Sequence, residues 1–77
     1  MDIATYISEK INGVETILRV FVEGKDEGVR IVMVVIMKYG SRIVDVAQEM
    51  QTKVIDQVEG MTAFNVIGVD IDVRGIK

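Results

Sequence analysis

Between Val29 and Tyr39 the chain carries an apolar run that constrains every fold it can adopt. Read as a strand, it sends Ile31, Met33, Val35 and Met37 to one side and Val32, Val34 and Ile36 to the other, so it is apolar on both faces. Each face then needs cover. One helix suffices for one face of a small sheet, which leaves Val32, Val34 and Ile36 to be covered either by a short N-terminal helix or by a partner.

The rest of the chain supplies the elements around that run. Ile3, Ile7, Ile11 and Val14 recur at three- and four-residue spacing behind Asp2, a residue able to cap a first turn. A helix over residues 2–12 follows, or a frayed arm if nothing packs on it. Asn12-Gly13 ends it. Leu18, Val20 and Val22 alternate with Arg19, Phe21 and Glu23, the period of a strand with one buried face, and a polar turn from Gly24 to Gly28 joins it to the apolar run as a hairpin.

From Ser41 the period becomes helical. Ile43, Val46, Ala47, Met50, Val54, Val58 and Met61 form a stripe, Ser41 is the expected cap, and Gly60 marks the expected end. In the last strand Ile67, Val69, Ile71 and Val73 alternate with Gly68, Asp70, Asp72 and Arg74. The expected architecture is a single α/β (α+β) domain over residues 1–77, a two-layer sandwich of order helix-strand-strand-helix-strand. Its parts are an N-terminal helix or arm (1–14), a β-hairpin (17–39), a main helix (41–60) on one face of a three-stranded sheet, and a last strand (64–74). That strand lies either parallel beside the second strand or antiparallel beside the first, with a right-handed crossover in the parallel case.

Composition narrows function mostly by exclusion. The chain has no cysteine, histidine, proline or tryptophan, which removes disulfides, thiolate nucleophiles, imidazole bases and the usual zinc sites. A net charge of −3, spread along the chain without a Lys/Arg cluster, argues against nucleic acid as a partner. The N-terminus lacks the pattern of a signal peptide, and Ile31–Met37 is far shorter than the ~20 residues of a membrane span. The expected protein is cytoplasmic. At 77 residues it buries only about 60% of its unfolded surface, so self-association is expected to supplement the core.

No residues assemble into a catalytic, metal or cofactor site. Asp70 and Asp72 share one side of the last strand, but two carboxylates are too few for a dedicated cation site and read instead as a solvated face that protects a sheet edge. The glycines fit neither G-x-G-x-x-G nor the P-loop spacing, and no G-x-x-G exists to clamp a nucleic-acid backbone. Candidate function therefore rests on surfaces. Besides Val32, Val34 and Ile36, the main helix carries Val44 and Ile55 eleven residues apart and off the main stripe, a second candidate interface.

The order of these residues resembles the alkaline shock protein family, small proteins chiefly of Gram-positive bacteria. Tyr39-Gly40 closes an apolar strand, Ile43-x-Asp45-Val46-Ala47 opens a helix with Gln51 and Val54 further along, and Val58-Glu59-x-Met61-Thr62 follows. The ending from Val66 to Ile76 resembles the family's V-x-x-V-x-V-x-V-x-G-V, while Ile3-Ala4 and Gly13-Val14 resemble its earlier landmarks. Arg42-Ile43-Val44-Asp45 stands where the family usually has Ser-Ile-Pro-Glu. The chain resembles a minimal version without the opening strand and glycine-rich insert. The resemblance implies a non-enzymatic role in cell-envelope or general stress homeostasis, exercised through self-association and docking onto a membrane-anchored protein. A second reading is a regulatory subunit of an enzyme of fatty-acid synthesis, and a third is an RNA-binding module.

Overall fold

The computed structural model describes residues 2–77. Asp2 caps the first helix as its sequence suggests: its Oδ1 accepts from the Ala4 N–H at 3.0 Å and its Oδ2 accepts from the Thr5 hydroxyl at 3.1 Å. Helix α1 spans Ile3–Lys10. Gly13, at φ +101°, then turns the chain into the sheet, and a Cβ there would stand 2.8 Å from Cγ2 of Val46. Only glycine permits both the turn and that approach.

Strand β1 spans Val14–Lys25 and pairs antiparallel with β2, Gly28–Met37, in a register running from Val14 opposite Met37 to Lys25 opposite Gly28. The first strand begins earlier than its alternation suggested and is irregular. Register shifts fall between Val14 and Thr16 and between Ile17 and Arg19, so Leu18 is 55% exposed while Ile17 and Val20 pack against the core. The buried set expected from simple alternation is therefore displaced by the bulge at Leu18. Along β2 the alternation holds throughout, with Ile31, Met33, Val35 and Met37 buried.

Helix α2 spans Ile43–Met61 and buries Val46, Met50 and Val54. Its start departs from expectation: Arg42 is the N-cap, without a side-chain bond, because the Ser41 hydroxyl instead donates to the Lys38 carbonyl at 2.7 Å. Gly60 does not end the helix but lies within it. The stop comes at Thr62, whose N–H and hydroxyl both donate to the Val58 carbonyl, at 3.0 and 2.8 Å. Met61 falls off the buried stripe and is exposed.

Strand β3, Val66–Ile76, returns parallel to β2, which gives the mixed sheet the order β1-β2-β3 and decides between the two placements left open by the sequence. The Gln51 side-chain amide donates to the Val69 carbonyl at 2.8 Å and ties α2 to this strand. Ile67 sits at a register shift and is partly exposed, and Val66 takes its place against the core. The architecture is the expected α+β one, helix-strand-strand-helix-strand.

Both helices lie on one side of the sheet. Ile7 and Ile11 of α1 join Met33, Met37, Met50 and Val54 in one hydrophobic cluster. The alternative in which the N-terminal helix covers Val32, Val34 and Ile36 is corrected: α1 lies beside α2, where Ile7 completes the cover of the same face. The opposite face carries no element among the described residues.

Candidate interaction surface

The uncovered face is built by register. Val32, Val34 and Ile36 form its central stripe because they alternate with the buried residues of β2. Across the hairpin, Phe21 lies opposite Val32, Arg19 opposite Val34 and Thr16 opposite Ile36. Across the parallel pair, Asp70 neighbours Val32, Asp72 neighbours Val34 and Gly75 neighbours Ile36. An apolar spine thus runs down the middle with charge on both flanks.

Each charge is placed by a specific contact. The Arg30 guanidinium crosses Gly68, where a Cβ would stand 2.8 Å from its Nη1, and donates to Oδ1 of Asp70 at 3.2 Å. Ile36 leans over Gly75 in the same way, its Cδ1 3.2 Å from where a Cβ would be. The two glycines of β3 therefore let side chains of β2 spread across the strand and flatten the face. Arg74 donates through Nε to Asp72 at 2.8 Å, and on the other flank the Arg19 guanidinium sits 5.0 Å from the centre of the Phe21 ring.

The five interface candidates from the sequence separate into two groups. Val32, Val34 and Ile36 come together as half-buried neighbours on the uncovered face. Val44 and Ile55 do not share a surface character, for Val44 is 69% exposed while Ile55 is half-buried against the core cluster. Phe21 and Arg19 are members of the uncovered face that sequence reading passed over. Their signal lay in the hairpin register, since a turn centred on Asp26-Glu27 sets Phe21 opposite Val32.

The acidic pair of β3 offers little chemistry. Asp70 and Asp72 each bind an arginine of this chain, and no cluster of three metal-ligating residues exists among those described. An open recess beside the hairpin turn is lined by Lys25, Asp26, Glu27, Phe64 and Asn65, exposed residues of mixed charge that converge on no common point. What the arrangement can do is present a flat apolar strip in a charged frame.

A model of the alkaline shock protein 23 family, described as having a cell envelope-related function, matches residues 1–77. The chain belongs to this family. No curated protein and no solved structure matches it. The match spans the fold from α1 to β3 and takes in the stretches at Tyr39-Gly40, Asp45-Val46-Ala47 and Val66–Ile76 on which the sequence resemblance rests. The alkaline shock protein family is not a known enzyme family. Among the described residues no helix is long and apolar enough to cross a membrane.

Proposed function

We propose that this alkaline shock family chain is a non-enzymatic scaffold or adaptor. It acts in the cytoplasm in envelope or general stress homeostasis, by self-association and by docking onto a membrane-anchored protein. One observation carries the reading. The sheet's second face is an apolar stripe of Val32, Val34 and Ile36 with Phe21 beside it, and no element of the described chain covers it. Full burial of a side chain of this kind is worth about 1.5–3 kcal/mol, and these are already half-buried by their neighbours. About half that gain per residue is left for a partner to realise.

Affinity capture of the tagged protein, with membrane and soluble fractions analysed separately, tests the docking arm against Val34→Asp as control. The expected result is a membrane protein retained by the native chain and by Val44→Lys but lost with Val34→Asp, whose fold is checked by circular dichroism. An identical set of captured proteins with folded Val34→Asp sinks the docking reading. A carboxylase or other soluble enzyme captured instead transfers support to the regulatory-subunit reading.

A further inference from the structure

We infer that the uncovered face pairs with the same face of a second copy about a two-fold axis parallel to the strands, so that Arg19 of each copy meets Asp72 of the other. The inference rests on the scaffold reading and specifies its self-association. The surface is chosen first by what the sheet's edges forbid. Register shifts at Glu15 and Leu18 on β1 and at Ile67 and Arg74 on β3 confine the regular edge to residues 19–25 on one side and 68–73 on the other. Charged residues line both, including Glu15, Glu23 and Lys25 on β1 and Asp70 and Asp72 on β3. Such edges resist edge-to-edge pairing, which leaves the face.

Charge then selects the orientation. Arg19, Val34 and Asp72 occupy one row across the three strands, with the cation on one flank and the carboxylate on the other. Two sheets stacked face to face with nearly aligned strands lie about 10 Å apart. A two-fold axis parallel to β2 lays the β1 flank of one copy over the β3 flank of the other at the same height along the strand. Arg19 then faces Asp72 twice, once on each side of a central Val34 pair. An in-plane axis perpendicular to the strands instead lays β1 over β1 and brings Arg19, which rests on Phe21 rather than on a carboxylate, against its own counterpart, while Asp70 and Asp72 already hold Arg30 and Arg74 and gain nothing from facing β3. That orientation sets like charges together and is disfavoured.

Area sets the strength. Ten residues of β2 and three strands give a face of about 33 by 14 Å at standard strand spacings, hence roughly 1,000 Å² over both copies. That is near the lower bound for a specific interface. The dimer is accordingly weak and concentration-dependent.

Sedimentation equilibrium over a concentration series tests the pairing, with Arg19→Asp, Asp72→Arg and the double exchange. Each single exchange is expected to weaken dimerisation about tenfold, and the double exchange to restore it to within about threefold of the native chain. The chain has no cysteine, so Val34→Cys gives a second readout: mild oxidation should link it to itself, whereas Val44→Cys should form no disulfide-linked dimer. A chain that remains monomeric at every concentration overturns the inference. So does a dimer in which the double exchange fails to restore association, or one that is cross-linked through Val44→Cys and not through Val34→Cys. In those last two cases the scaffold reading survives through another surface; it falls separately if the capture experiment also shows no partner lost with Val34→Asp.

Discussion

The two faces of β2 are both wholly aliphatic or thioether along the apolar run, yet they do different work. Ile31, Met33, Val35 and Met37 lie under α1 and α2 and are almost fully buried, whereas Val32, Val34 and Ile36, one residue out of phase, stay half-exposed. Hydropathy cannot separate them, because valine and isoleucine are equally apolar on either side. What separates them is the polarity of their flanks. On the covered face β3 contributes Val69, Ile71 and Val73, and on the open face it contributes Gly68, Asp70, Asp72 and Gly75. The strand at the sheet's edge thus records which face is core and which meets solvent or a partner, while the central strand does not.

The sharpest way to break this comparison is to place the same charge on each face. Met33→Asp buries an unpaired carboxylate in the middle of the cluster that holds Ile7 and Met50. A domain of this size has a stability of about 5 kcal/mol or little more, and an uncompensated buried charge costs at least several. The variant should be unfolded by circular dichroism at room temperature. Val34→Asp, one position along, should remain folded, with a loss of no more than about 2 kcal/mol in urea titration. If both unfold, the open face is part of the core in solution, and its cover is obligatory for folding.

How much of this was legible in the sequence differs by element. β2 was readable because it keeps one strict period over its whole length, with a surplus apolar face, and α2 and β3 because theirs holds over most of it, failing at Met61 and at the register shift of Ile67. β1 was misread at Leu18 because a bulge shifts the phase without altering the residue types, so alternation points to the wrong face on one side of the break. Gly60 misled for a related reason. A glycine permits a helix stop without requiring one, and the helix runs on to Thr62, which turns extended while its N–H and hydroxyl both donate to the Val58 carbonyl. The placement of α1 was not legible at all, since its apolar residues fit either face of the sheet; Ile7 is drawn to the gap beside Met50 by packing that only the assembled layers define.

The two outlying residues of α2 test the same distinction at smaller scale. Ile55 packs partly against the cluster and Val44 does not. Ile55→Lys should therefore cost about 1–2 kcal/mol of stability, and Val44→Lys should stay within about 0.5 kcal/mol of the native chain. Urea titrations of the two single variants check this. Together the substitutions also examine the helix flank as a self-association surface, for if the folded double variant keeps its native mass, that flank takes no part in assembly.

The smallest effect is the most specific to the open face. Gly68 lies where the Arg30 guanidinium crosses β3, and Gly68→Ala would place a methyl 2.8 Å from Nη1, closer than a carbon and a nitrogen approach without one moving. The arginine is long and its side chain is 37% exposed, so its far end can swing away, and the alanine also reduces the freedom of the unfolded chain. These terms oppose each other, and an exposed ion pair contributes about 0–1 kcal/mol, so net stability should change by less than about 1 kcal/mol. The contact itself should change far more. With Arg30 displaced, Asp70 loses the donor now at 3.2 Å, and the flank beside Val32 becomes more negative without any alteration on the covered face. Nuclear magnetic resonance would show this as chemical-shift changes confined to Arg30, Val32 and Asp70 while Ile31, Met33 and Val69 keep theirs. Shifts that spread into those buried residues would mean that the two faces of the sheet are mechanically coupled through β2, and that a partner bound on the open side is felt by the helices on the other.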